Sequence, residues 1–407
     1  MKKILLVLLS VDSFFSHGVQ GSTWKDECVG YYNMHLPDNL EVAVYPIKGF
    51  VDPKPRPEDN GFFITRRYAG NRITFGDEYD RIKTDAVQAQ FSKFYYSNYR
   101  IGVSSESAST IDFSAYKTRR LDSFEFSKKV ALQKEELNFR ILEEPISDKA
   151  EFHRVHSYIL KDYTNAFAGY NYRGYTVYIN SGRHIYHFWK KNEKDSGEKS
   201  QTVEAQIQKS EPEVLYLLKR FRPRELYEVP AEQGFCLPYG FIANDSGHEP
   251  RNMGVTYRLK NHPDVTIFFQ DLGMKPEAGK EDEMNEKDYV TWLWSWEYHG
   301  GAASKELIKP KWRSIKMDGR DGLGTFVKGT YRNVPVYDYK GHVINRVNYI
   351  NYGYVAYVQG DRQARNLKPD LLLYVMQDSR QAKDNPPMDK DELEKLAEHI
   401  VSSIKRR

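Results

Sequence analysis

At 407 residues the chain is long enough for two domains of ordinary size, each burying its own core. A composition that is 40% hydrophobic and 14% aromatic excludes a disordered chain. A formal net charge of +4, spread over 60 basic and 56 acidic residues, excludes the strong basic field that nucleic-acid binding needs.

Residues 1–21 have the pattern of a secretory signal. Lys2 and Lys3 form its charged start, Ile4 through Val11 its apolar run, and Val19-Gln20-Gly21 a cleavage site before Ser22. The run is too short to span a bilayer, and no later segment is apolar and long enough to do so. A buried N-terminal strand is the alternative, since Asp12 follows the run closely. No cysteine stands just after the run, which argues against a lipid anchor.

Cys28 opens the block E-C-V-G-Y-Y-N-M-H-L-P, and Cys236 opens a second, G-F-C-L-P-Y-G-F-I-A-N-D. Nothing in the sequence brings the two within bridging distance. Buried free thiols are expected, with a disulfide in an exported chain as the alternative. Two cysteines are too few for a Cys-rich structural zinc site.

Alternation then dominates. Leu40, Val42 and Val44 alternate with Glu41, Ala43 and Tyr45, the pattern of a half-buried strand. Tyr175–Ile179 and His184–Phe188 flank Asn180-Ser181-Gly182-Arg183, and Thr256–Leu259 and Val265–Phe269 flank Asn261-His262-Pro263; both read as hairpins. Tyr354–Val358 and Leu371–Met376 are further strands. Short turns between consecutive strands imply antiparallel pairing.

Helices are fewer. Ser210-Glu211-Pro212-Glu213 reads as a capping box before the stripe Val214, Leu217, Leu218, Phe221, and Arg222-Pro223-Arg224 stops it. Residues 222–234 read as an extended linker between domains 22–225 and 226–407. The last helix is capped by Asp389, stapled by Met388 to Leu393, and lined by Leu396, Ala397, Ile400, Val401 and Ile404; Lys405, Arg406 and Arg407 complement its dipole.

Catalytic signatures are missing from the sequence. There is no G-x-S-x-G elbow, no H-E-x-x-H and no G-x-x-x-x-G-K-[ST] loop, and Pro250 breaks the helix that His248-Glu249 would need. Gly319 to Gly324 reads as a turn between strands rather than a phosphate cradle. His184 and His187 lie on opposite faces of a strand, and His153 with His156 is too sparse for a metal site. No catalytic residue, metal or cofactor is expected.

The positive signal is aromatic. Read as a strand, W-L-W-S-W-E-Y projects Trp292, Trp294 and Trp296 to one face, either as sheet core or as an anchor stripe for a partner. Beside it, residues 275–288 carry an acidic run in which Glu281, Asp282 and Glu283 are the candidate contacts. These six residues are the partner-binding candidates.

Several stretches resemble a known family. E-C-V-G-Y-Y-N-M-H-L-P resembles the opening of the two-domain immunity proteins that neutralise type VI secretion phospholipase effectors. F-R-P-R-E-L-Y-E-V-P-A-E-Q-G-F-C-L-P-Y-G-F-I is similar to that family's junction into its C-terminal domain. W-S-W-E-Y-H-G-G-A-A-S-K-E-L-I-K-P followed by I-K-M-D-G, and the closing L-A-E-H-I-V-S-S-I-K-R-R, resemble later stretches of that domain. Leu237-Pro238-Tyr239 departs from the pattern, and Tyr68 to Asp148 matches poorly. The resemblance implies two α+β domains, each a mainly antiparallel sheet with packed helices, arranged like a claw. It implies a periplasmic, non-enzymatic binding protein that occludes the active site of a lipase effector. Effector contacts sit in variable loops, so none is carried over. The competing readings are a periplasmic glycan- or ligand-binding protein using the tryptophan face, and a hydrolase with an unrecognised site.

Overall fold

The computed structural model describes residues 23–47, 73–76, 89, 91–142, 149–192, 202–274, 284–298, 301–338, 341–382 and 385–407. The signal pattern at 1–21 and the acidic candidates Glu281, Asp282 and Glu283 lie outside the described residues.

The fold is α+β and mainly antiparallel, as the alternation predicts. One 14-stranded sheet forms its frame. Its path runs Ser304–Leu307, Arg320–Tyr337, Val343–Val358, Asp370–Gln377, Val265–Leu272, Arg251–Leu259, Lys93–Tyr96, Tyr99–Val103, Ile185–Lys191, Gly174–Asn180, Ala166–Asn171, Tyr158–Tyr163. The two expected hairpins are present, with Tyr178 opposite His187 and Thr256 opposite Phe268. The sheet passes between the two halves of the sequence at one strand. Arg251–Leu259 pairs with Lys93–Tyr96 through Met253 and Phe94, and with Leu40–Val42 through Tyr257 and Val42.

Five α-helices among the described residues cover the sheet: α1 (Phe113–Leu142), α2 (Lys149–Val155), α3 (Val203–Arg220), α4 (Glu286–Trp292) and α5 (Lys390–Ser403). Period-two alternation assigns each strand residue to a layer. Tyr175, Val177 and Ile179 join the main core with Val214 and Leu217 of α3. Tyr178 faces the other way, into a cluster with Phe167, Ile185 and Tyr116 of α1. Helix α5 matches its reading, with Asp389 as cap accepting from Asp391 N and Leu393, Leu396, Ala397, Ile400 and Val401 buried. Three readings change. Helix α3 begins at Val203 behind the cap Thr202, and Pro212 lies inside it rather than in its first turn. Ser210, read as the cap, instead accepts from Gln206 Nε2 in the buried interior. Lys405 and Arg406 leave the helix as a short strand paired with Tyr32 and Asn33.

The segment read as a linker is bound along its length, together with both cysteines. Cys28 and Cys236 form a disulfide with Cα atoms 5.8 Å apart, so the free-thiol reading is corrected. Sequence separation hid the pair; reciprocal backbone bonds between Gly30 and Cys236, both 2.9 Å, bring the two blocks edge to edge. Phe221–Pro223 pairs with Gly240–Ala243. The buried Arg224 reaches Glu27 Oε1 at 2.5 Å and donates to the carbonyls of Cys28, Leu237 and Glu228. Glu27 also accepts from the Tyr227 backbone N–H. Arg407 donates to the carbonyls of Gly234, Pro230 and Glu232. Partners for the polar atoms offset the cost of burying such a charge, and Arg224 and Glu27 have them.

The two hairpin histidines are structural. His187 Nε2 lies 2.9 Å from the Tyr116 hydroxyl, and burial, then the Arg120 charge, pushes its pKa well below the usual histidine value. His184 stacks on Tyr239 at 4.4 Å, and burial lowers its pKa as well. A histidine whose folded pKa is depressed takes up its proton only on unfolding, so stability is complete above the ordinary value and is lost as pH falls below it. The slope is about 1.4 kcal/mol per pH unit for each such group. Replacing His187 with Gln, which keeps a polar partner for Tyr116, is expected to reduce the loss of stability between pH 7 and pH 5. Urea titrations of both proteins at pH 7, 6 and 5 check this; an unchanged slope would show that His187 does not carry the effect.

Candidate partner-binding surface

The strands Arg320–Tyr337 and Val343–Val358 form the longest hairpin among the described residues. Neighbouring strands support only its base. Ser304–Leu307 pairs as far as Thr330, and Asp370–Gln377 reaches back only to Gly353. Beyond Tyr331 and Tyr349 the ribbon continues as two strands alone. Val334 pairs with Val347, Val336 with Asn345, and Tyr337 with Val343. The sequence accounts for this arm: β-branched residues hold it extended, and Asp338 N donates to His342 O across the turn. Register shifts follow Tyr331 and Val336, and Asn333 adopts a φ of 56° at the first of them. Asparagine tolerates that conformation, and such bulges bend a ribbon away from its sheet.

One face of the arm continues the packed face of the sheet. At the base, Tyr331 and Tyr349 stack at 4.5 Å, with the Arg380 guanidinium 4.9 Å from the Tyr349 ring and held by Asp378 at 2.8 Å. The concavity here is lined by Thr330, Tyr331, Tyr349, Ile350, Ser379 and Pro387. At the far end, Tyr337, Val343 and Ile344 are 54%, 47% and 64% exposed, with Ile344 on the face opposite to Val343. Arg332 and Arg346 flank the arm without a carboxylate partner among the described residues; the Arg346 guanidinium donates to the Asn333 carbonyl at 3.0 Å, and its backbone N–H to Asn345 Oδ1 at 2.7 Å.

The tryptophan run covers the lower part of the same face, as a helix rather than a strand. Asn285 caps α4 by accepting from Asp288 N, and the helix continues as a π-helix over Leu293–Tyr298. On a helix, Trp294 lies on the side opposite to Trp292 and Trp296, so the three indoles share no common face. Trp294 joins the core with Val327, Val355 and Tyr374; Trp292 is half-buried beside Tyr289; Trp296 alone is exposed, at 72%. The glycan reading, which needed three indoles on one strand face, loses its basis.

Helix α1 offers a second surface. Its 30 residues span about 45 Å. Asp112 caps it, and its first turns are fixed by Tyr116, by Lys117 on Asp162 at 2.6 Å, by Arg120 on Tyr178 at 3.1 Å and by Glu125 on Tyr158 at 2.5 Å. Further along, Phe126, Val130, Leu137 and Ile141 form one exposed stripe, while Leu121, Leu132 and Phe139 form another on the opposite side. Opposed stripes cancel as a one-sided pattern, so periodicity gave no sign of this helix. The arm does carry a sequence signal: β-branched runs on either side of D-Y-K-G-H mark a hairpin. No helix among the described residues is long and apolar enough to cross a membrane.

Comparison with known families bears on residues 228–288, which run from the buried junction through the Arg251–Leu259 hairpin into α4. They match the family model for the Tle cognate immunity protein 4 C-terminal domain. Over this stretch the chain resembles the type VI secretion lipase immunity proteins. Solved structures that align with it include the apo immunity protein TplEi of the type VI secretion system from Pseudomonas aeruginosa. That match has 16% identity and a TM-score of 0.49, and covers 94% of this chain and 97% of that one. TplEi complexed with the "L" peptide aligns at 17% identity and TM-score 0.47, covering 94% and 98%. The Tle4–Tli4 complex aligns at 17% and 0.49, covering 94% and 97%. No curated protein matches the chain.

Proposed function

We propose that the chain is a periplasmic immunity protein that binds a type VI secretion phospholipase effector, covers its active-site entrance and thereby protects the producing cell. It acts by binding, without catalysis or cofactor. The family match over residues 228–288 carries the reading. Three further observations support it: the export pattern at 1–21, a disulfide suited to an oxidising compartment, and two exposed apolar surfaces. The helix α1 lies within 22–225 and the arm within 226–407, so each unit of a claw would bring one surface to a single effector. Of the tryptophan run, Trp296 is the residue available to such a contact.

The test uses full-length mature protein and the lipase encoded beside its gene, with release of fluorescent fatty acid from phosphatidylglycerol vesicles as the readout. Stoichiometric inhibition, with no lipid turnover by the protein alone, is the expected result. Failure to inhibit at tenfold excess, or turnover of lipid by the protein itself, would remove the reading.

A further inference from the structure

Helix α1 leaves more apolar surface uncovered than one partner can reach. Its body side is fixed by the buried Tyr116, by Arg120 on Tyr178, and by Phe124 stacked on Tyr158 at 4.9 Å. Leu121, Leu132 and Phe139 lie on one flank of that side; Phe126, Val130 and Leu137 lie on the other. Two flanks of one helix require two contacts. The second stripe has the order of a helix-pairing seam. Phe126, Val130, Gln133 and Leu137 follow one another at spacings of four, three and four, and all of them are exposed. That spacing reads the same in both directions. The seam is therefore its own complement when two such helices lie antiparallel: Phe126 meets Leu137 of the other helix, and Val130 meets its Gln133, each contact made twice. The flanking charges share this symmetry. Lys129 and Glu136 are exposed, and neither has an ion-pair partner among the described residues. Antiparallel pairing sets Lys129 of each copy beside Glu136 of the other. Parallel pairing would set Lys129 against Lys134 instead.

We propose that a second copy of this chain covers this stripe, through a two-fold antiparallel contact of α1 with α1. The contact leaves Leu121, Leu132 and Phe139 open, so a dimer still presents an apolar flank of α1 to an effector. The first turns of α1 are already held by the sheet, so pairing costs little ordering of the helix. The seam from Phe126 to Leu137 is about 18 Å long, which places the interface at the small end of specific contacts and the association in the micromolar range.

Sedimentation of full-length mature protein across the micromolar range, without effector, tests this. A monomer–dimer equilibrium is expected. Val130→Asp/Leu137→Asp is expected to stay monomeric throughout. Both positions are exposed, so its thermal unfolding should match that of the parent at a concentration where both are monomers. Lys129→Glu and Glu136→Lys, made singly, are each expected to weaken association about tenfold, because two-fold symmetry turns each change into a pair of like-charge contacts. Made together they restore opposite charges across the seam and should return the affinity of the parent. A parent that remains monomeric over the whole range overturns the proposal. A dimer that Val130→Asp/Leu137→Asp leaves intact lies elsewhere and overturns it as well. If the combined charge swap fails to restore what the single changes lose, the antiparallel pairing is wrong. If the parent is monomeric and Val130→Asp/Leu137→Asp loses inhibition of the lipase, the stripe belongs to the effector rather than to a second copy. A dimeric parent that fails to inhibit the lipase would remove the immunity reading and leave the dimer standing.

Discussion

Replacing both cysteines with alanine, or reducing the Cys28–Cys236 bond, is expected to lower stability by up to about 5 kcal/mol. The bond joins residues 208 apart, and closing so long a loop removes much of the freedom of the unfolded chain. It also lies in a buried cluster with Phe241 and Ala243, so the folded state has no room for a pair of hydrated thiols. For a chain of this size the shift in melting temperature is on the order of 5 °C. Thermal unfolding of the oxidised protein with and without dithiothreitol measures it, and protein expressed in a reducing compartment should match the reduced sample. Equal melting temperatures in all three would mean that the surrounding hydrogen bonds hold the junction without the bond.

A second large effect is expected at Arg251 and Asp271. The Arg251 Nε lies 2.7 Å from Asp271 Oδ2, and both side chains are fully buried. Arg251 also donates to the Asn366 carbonyl at 2.8 Å and lies 4.7 Å from the Tyr31 ring, while Asp271 accepts from the Tyr31 backbone N–H. The pair therefore ties the N-terminal hairpin to the central sheet. Little space remains around it: a Cβ on Gly30, whose φ is +59°, would sit 2.5 Å from Asp271 Oδ2. Removing one partner leaves the other charged and buried, so Asp271→Leu is expected to cost about 3–5 kcal/mol, while Arg251→Met with Asp271→Leu together should recover most of that loss. Chemical denaturation of the two single variants and the double variant gives the coupling. A single variant costing under about 1 kcal/mol, or a double variant that merely sums the singles, would refute the assignment.

These features also mark where sequence reasoning stops. The hairpins at 175–188 and 256–269 and the helix at 390–403 were legible because each is specified by neighbours in sequence: alternation, a turn, a cap. Cys28 with Cys236, Glu27 with Arg224 and Arg251 with Asp271 were not, since strand pairing brings them together and leaves no local trace. The tryptophan run misled for a related reason. Its alternation is that of a strand, yet Asn285 caps a helix and the Val327–Tyr374 face needs only one of the three indoles. Tertiary packing overrode the local pattern. Of the six candidate contacts, Trp296 is on the surface, Trp294 is in the core, Trp292 is between, and Glu281, Asp282 and Glu283 lie outside the described residues.

The strand formed by Lys405 and Arg406 has a consequence for how the chain is made. The hairpin of Trp24–Val29 and Tyr32–Pro37 is synthesised long before its third strand, which lies more than 360 residues downstream. Leu40–Val42 and Lys93–Tyr96 likewise wait for Arg251–Leu259. Vectorial synthesis therefore delivers a long nascent stretch whose strand edges wait for partners a hundred and fifty residues or more downstream. Native pairing so dependent on distant segments is slow. Slow closure leaves unpaired strand edges exposed, and with them a risk of aggregation, until the distant partners arrive.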